Sequence, residues 1–173
     1  NDLVSLSIFS MAFETVRDIL EHEPDTFSSQ QRLELREANG TLRSFDISSS
    51  KNGPGEQLDS HCTPRGWHEV CKKIGDGCEL NTVFVGRRPT GEIYSAELKR
   101  VTPERDWMLT RILWLSGTEP GLNQGGEVDT RDRYIYLHGC PDDVQLGVPG
   151  SIGCIRMSNR DVVELFDCIP VGT

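Results

Sequence analysis

Two residues of this chain could supply a nucleophile and its base. Cys154 ends the run Ser151-Ile152-Gly153-Cys154, and His138-Gly139 follow the apolar run Tyr134-Ile135-Tyr136-Leu137. A thiol needs a base to become a thiolate, and the tetrahedral intermediate of an acyl transfer needs N–H donors for its oxyanion. Gly153 lets backbone amides approach that developing charge closely. His138, where a strand ends, can take the thiol proton. By spacing alone, the pair also fits a buried thiol beside a structural histidine.

The elements that must position these residues read as mostly β with short helices, in one domain. Residues 3–22 place Leu6, Phe9, Phe13, Val16 and Leu20 at spacings of three and four, which predicts an amphipathic N-terminal helix. Asp2 would cap it and Pro24 would close it. Leu33 and Leu35 then alternate with polar residues, and Leu42, Phe45 and Ile47 follow Asn39-Gly40, a turn dipeptide that predicts a hairpin. Residues 48–66 read as a long polar loop. Strand-like runs at 67–71, 82–86, 92–98, 108–115 and 133–138 are separated by Gly, Pro and Asp clusters, and 117–132 reads as a surface loop. Ser158 predicts the start of a short helix over 158–168, which Pro170 stops.

Composition narrows the function classes. Eighteen Lys+Arg against 27 Asp+Glu give a net charge of −9, which argues against a general nucleic-acid binder and against docking on anionic lipid. No apolar run is long enough to span a membrane. The six cysteines, at 62, 71, 78, 140, 154 and 168, form no C-x-x-C pair. His61, Cys62, His68, Cys71 and Cys78 match no usual zinc spacing, so neither metal nor other cofactor is expected. Buried thiols in a reducing compartment are the simpler reading, with Cys140 a neutral loop thiol. No basic-then-apolar leader is visible, and the chain begins at Asn1.

The pattern H-G…S-x-G-C-I-R-M, from His138-Gly139 through Ser151, Gly153, Cys154, Ile155 and Arg156, resembles the signature of the L,D-transpeptidase catalytic domain, the YkuD-like family. TPRGWHEV (63–70), VFVGRRPTGE (83–92) and LTRILWLSG (109–117) also look like strands of small bacterial members. The resemblance covers roughly residues 31–173, which leaves 1–30 as an N-terminal helical appendage. It departs from the family at Ile152, where members commonly carry a histidine.

The resemblance implies a mostly antiparallel β-sandwich or partly closed barrel, with the cysteine at the end of a long groove. It implies cysteine-dependent acyl transfer on peptidoglycan stem peptides, a tetrapeptide or muropeptide. Cys154 would attack the carbonyl of the third residue, a diamino acid, and D-Ala at position four would leave. His138 would act as base and then acid, with the Gly139 carbonyl orienting its ring. The Gly153 and Cys154 amides would hold the oxyanion. Ser151 and Ile152 would shape the site, Arg156 would bind a substrate carboxylate, and Trp114 would line the groove. Arg87-Arg88 could touch substrate carboxylates but read more simply as solvated surface, and Tyr134 and Tyr136 read as core residues on one strand face. Transfer of the acyl group to water would make an L,D-carboxypeptidase, suited to cytoplasmic wall recycling. Transfer to an amine would make a transpeptidase, suited to the periplasm. A non-catalytic peptidoglycan-binding module is the third reading. Carbapenem-type β-lactams are expected inhibitors.

Overall fold

The runs at 68–74, 82–85 and 108–117 alternate their side chains, and alternation decides which face of a sheet each residue joins. The computed structural model describes residues 5–9, 30–36 and 42–173. One antiparallel sheet has the order β1 (Ser5–Phe9), β2 (Arg32–Arg36), β3 (Leu42–Asp46). A six-stranded sheet contains β4 (His68–Ile74), β5 (Thr82–Val85), β6 (Arg88–Ile93), β7 (Met108–Gly117), β8 (Tyr136–Gly139) and β9 (Ile155–Met157). Its order is β6-β5-β7-β8-β9, with β4 also paired to β7. The β8–β9 pair is parallel; the other pairs are antiparallel. Two helices, α1 (Ala96–Val101) and α2 (Asn159–Cys168), complete the named elements used below.

One face of the larger sheet carries the main core. Leu113 and Leu115 of β7, Leu137 of β8, and Ile155 and Met157 of β9 join Leu33, Leu35 and Phe45 of the smaller sheet in one buried cluster. Val162, Leu165 and Phe166 of α2 close it. Each such buried side chain contributes roughly 1.5–3 kcal/mol. The residues between them, Ile112, Trp114 and Tyr136, turn to the opposite face, where Phe84 and Cys154 meet them. Period two thus separates structure from chemistry: core residues point one way, and the candidate site lies on the other side.

Several expectations need correction. The helix expected over 3–22 falls mostly outside the described residues, but Ser5–Phe9 within it is strand β1, paired with β2. Val4, Leu6 and Ile8 alternate with Ser5 and Ser7, a period of two that competes with the helical spacing. The hairpin of β2 and β3 forms with Arg36 opposite Leu42, while its Asn39-Gly40 turn lies outside the described residues. The run at 92–98 is only partly strand: β6 ends at Ile93, and Ser95 caps α1, its side chain accepting from the Leu98 N–H at 3.1 Å. Helix α2 begins as expected, with Ser158 Oγ accepting from the Asp161 N–H at 3.0 Å. No helix among the described residues is long and apolar enough to cross a membrane.

Candidate active site

His138 lies on β8, which is flanked by β7 and β9. It is 1% exposed, and its Nδ1 lies 2.9 Å from its neighbour's carbonyl oxygen, Gly139 O. A carbonyl only accepts, so Nδ1 carries the proton and Nε2 keeps its lone pair. Gly139 has no room for a side chain: an added Cβ would stand 2.4 Å from Asn159 Oδ1 and 2.7 Å from Leu109 O. Asn159 is itself fixed. Its Nδ2 donates to Cys140 O and to Asn81 Oδ1, both at 2.9 Å, and its Oδ1 accepts from Thr110 Oγ1 at 2.6 Å. Thr110 sits in the irregular stretch of β7 between Leu109 and Ile112, with φ of 70°, an uncommon conformation for a β-branched residue.

Cys154 stands just before β9. Because His138 lies opposite Arg156 in the parallel pair, and residues two apart share a face, Cys154, Arg156, Tyr136 and His138 all belong to the side away from the main core. The Cys154 thiol donates to Tyr134 O at 3.5 Å. Ser151 Oγ donates to Cys154 O at 2.5 Å and accepts from the Gly153 N–H at 3.2 Å. The Gly153 amide, expected to face an oxyanion, is therefore directed back into its own turn. Gly153 has φ of 131°, which other residues rarely adopt, and its carbonyl accepts from Thr63 Oγ1 at 2.9 Å. Ile152 is 49% exposed.

The loop around Cys154 is held by the segment read as a polar loop. Ser49 O accepts from the Gly150 and Ser151 amides, each at 2.9 Å. Lys51 N–H donates to Ser151 O at 3.0 Å, and Ser50 N–H donates to Thr63 Oγ1 at 3.0 Å. Arg133 ties the same segment down, donating to Cys62 O at 2.7 Å and Gly55 O at 3.0 Å.

Electrostatics favour the neutral form of both His138 and Cys154 at pH 7. Burial holds the His138 imidazole below its ordinary 6.5; the Gly139 carbonyl and Asp106 pull it partly back, and Arg156 adds to the depression. Burial pushes the Cys154 thiol up to about 12, against the Tyr136 amide and Arg156, which favour the thiolate. Neither shift favours a standing thiolate–imidazolium pair. Cys140 is a different thiol: it is buried, donates to Met157 O at 3.2 Å, and burial also pushes it up to about 12.

The remaining expected site residues divide. Arg156 pairs with Asp106 at 2.9 Å and donates to Gly150 O at 3.1 Å, so it braces the nucleophile loop. Trp114 packs near the site, with Tyr134 and Tyr136 ring centroids 5.8 and 5.7 Å from its own, and donates to Arg131 O at 3.1 Å. Tyr134 is not core: it lies outside β8, has φ of 58° and is 52% exposed. The turn before β8 leaves it half-exposed, but its ring still packs on Trp114, on the side where Tyr136 also meets that ring. Arg87 is not freely solvated. Its guanidinium lies 4.7 Å from the Tyr134 ring centroid and 4.9 Å from that of Trp114, and donates to Tyr136 O–H at 3.1 Å. His61, Cys62, His68, Cys71 and Cys78 do not converge; among the described residues no group of three could hold a metal ion.

The family profile described as YkuD, the L,D-transpeptidase catalytic domain, matches residues 26–173. The chain belongs to this family. Two Bacillus subtilis proteins provisionally named as L,D-transpeptidases share shorter stretches with this catalytic domain. YqjB is 46% identical over 50 residues, 28% of this chain and 28% of its own length. YkuD is 42% identical over 41 residues, 24% of this chain and 25% of its own length. Among solved structures, the L,D-transpeptidase LdtMt1 in complex with imipenem aligns with a TM-score of 0.45 and 21% identity, over 83% of this chain and 52% of that one. An L,D-transpeptidase from Mycobacterium smegmatis aligns with a TM-score of 0.45 and 20% identity, over 83% of this chain and 52% of that one.

Sequence reasoning missed the residues that support this catalytic domain's site. Ser49, Ser50 and Thr63 hold the cysteine loop, Asp106 pairs with Arg156, and Thr110 and Asn159 fix the strand end beyond His138. None carries a local signal. Arg87 did carry one: Gly86-Arg87 is a two-residue turn dipeptide between strands, and a hairpin there sets where the arginine points.

Proposed function

We propose that this domain performs cysteine-dependent acyl transfer on peptidoglycan stem peptides, with hydrolysis of the tetrapeptide to the tripeptide as the favoured outcome. The observation that carries it is that Cys154 and His138 share one face of the parallel β8–β9 pair, Cys154 just before β9 and level with Tyr136, with the imidazole fixed as the Nδ1–H tautomer. In this reading Nε2 takes the thiol proton as sulfur attacks the carbonyl of the third residue, and the C–S bond forms. Collapse of the tetrahedral intermediate breaks the peptide C–N bond, and the imidazolium returns its proton to the departing D-Ala amine. With the Gly153 amide turned to Ser151, the backbone donor for the oxyanion would be the Cys154 amide. Water then attacks the thioester, with His138 again as base.

Exposed Ile152 supports hydrolysis over transfer, because it offers no hydrogen bond to a second peptide at the mouth of the site. The decisive assay incubates the protein with a disaccharide tetrapeptide, with and without an amine acceptor, and reads the products by mass. Tripeptide alone is expected. Exchange or dimer as the main product would favour the transpeptidase, and no change would leave a binding module.

A further inference from the structure

A chain of net charge −9 has acidic residues in excess of its basic ones, yet among the described residues Arg87 pairs with none. Its neighbours are instead the rings of Trp114 and Tyr134 and the hydroxyl of Tyr136. Those contacts leave the other N–H donors of the planar fork without an acceptor among the described residues, and that fork matches a carboxylate. Arg131 stands over the same Trp114 ring, 5.9 Å from its centroid.

The position is tied to the nucleophile. Tyr134 supplies the carbonyl that accepts from the Cys154 thiol, and Tyr136 directs its amide at the same sulfur. The two tyrosines that hold Arg87 by their side chains thus hold Cys154 by their backbone. The hairpin that presents Arg87 is also unfavourable for an arginine. Val85 pairs with Arg88, so Gly86 and Arg87 form a two-residue turn, with φ of 55° and 66°. A turn with both φ values positive favours asparagine and glycine, and an arginine there carries backbone strain. Strain held beside a reactive centre points to use of the side chain.

We propose that Arg87 is the carboxylate anchor of the acyl-donor site, receiving a carboxylate of the stem peptide while Trp114 and Tyr134 fix its fork. This rests on the acyl-transfer reading above. The excess of acidic residues elsewhere makes such an anchor necessary, because an anionic peptide is otherwise repelled. A stem peptide carries more than one carboxylate, and the chemistry of recognition is the same for each.

The test is equilibrium binding, measured by calorimetry on Cys154→Ala protein so that nothing turns over. The probes are a diaminopimelate-containing stem tetrapeptide and a set in which one carboxylate at a time is an amide. One amide should bind about 10–100-fold more weakly than the free acid, the size of a charge-assisted contact. Adding Arg87→Gln should weaken the free acid by the same factor and leave that one amide unchanged. Arg87→Lys should fall between, since it keeps the charge and loses the fork. The amide that becomes insensitive names the carboxylate. Equal weakening of every peptide by Arg87→Gln would show a packing role and overturn the proposal. So would no weakening of any, or no binding of any peptide to the Cys154→Ala protein. The acyl-transfer reading is judged separately, by turnover with Cys154 intact.

Discussion

His138 and Cys154 share one face of the parallel β8–β9 pair but are held by different means. The histidine belongs to a strand paired on both sides, and one neighbouring carbonyl fixes its tautomer. The cysteine belongs to a turn whose bonds reach back to Ser49, Lys51 and Thr63, about a hundred residues earlier. The candidate base is placed by regular sheet geometry, whereas the candidate nucleophile's turn is held by backbone groups of Ser49 and Lys51 and by the Thr63 hydroxyl, all from an irregular segment. Damage to the sheet should disturb everything at once. Damage to the irregular segment should disturb the sulfur and spare the imidazole.

The sharpest break in that comparison removes the sulfur itself. Cys154→Ala should abolish turnover with the thermal transition unchanged or nearly so, because the residue is only half-buried and its side chain is small. A carbapenem should add its mass to the parent and not to this variant. Cys140→Ser serves as the contrast, since that thiol is buried against Met157 O and the proposed reaction does not use it. Activity lost in Cys140→Ser and kept in Cys154→Ala would reverse the assignment.

Removing the base should cost less. His138→Gln is expected to lower acylation by about 10²–10⁴, the usual size for a lost general base. The pH profile adds a second reading of the same group. Burial depresses the folded imidazole below 6.5, so activity should hold from neutral pH downward and fall only below pH 6.5, as His138 becomes charged. Stability has the same sign: the unfolded histidine binds its proton first, so stability present above pH 6.5 is lost as pH falls toward the folded value. The thiol, pushed up to about 12, should give no alkaline limb near neutrality. An acid limb centred above pH 6.5, or one retained in His138→Gln, would remove His138 from the role.

Thr63→Val tests whether the irregular segment acts on the sulfur alone. Valine keeps the volume but loses the bonds to the Ser50 N–H and Gly153 O, leaving two buried groups unmet at about 1–3 kcal/mol each. The expected result is a drop of about tenfold in kcat/KM with the acid limb of the profile unmoved. A shifted limb would mean that the segment also sets the imidazole, and the contrast between the two residues would dissolve.

That contrast also accounts for what could be read from the chain. The strands of the larger sheet, helix α2 with its Ser158 cap, and the His138…Cys154 pair all rest on local signals: alternation, a capping residue, a short motif. Residues 48–66 gave no such signal. Their polar composition describes a loop equally well whether its side chains meet water or, as Ser49, Ser50 and Thr63 do, are buried against the nucleophile turn. Tyr134 failed for a related reason. One positive φ separates it from β8, and alternation does not foresee a single turned residue. Arg87 was read by its charge alone, while its position is decided by a hairpin and two rings from other parts of the chain.

The smallest effect concerns Ile152, on the nucleophile side of the comparison. It is 49% exposed and sits in the turn that Ser151 closes, so its side chain faces solvent rather than the core. Replacing it should therefore leave acylation nearly unchanged. A histidine there offers a hydrogen bond to an incoming peptide, which water does not need. Ile152→His is expected to raise the ratio of aminolysis to hydrolysis by a few-fold, about 1 kcal/mol for one exposed hydrogen bond. The measurement is the partition of products against rising acceptor concentration, in parent and variant. If the parent already gives mainly cross-linked product at modest acceptor, the preference for water is wrong. An unchanged ratio in Ile152→His would instead move the determinant off the nucleophile turn and onto the wall where the acceptor binds.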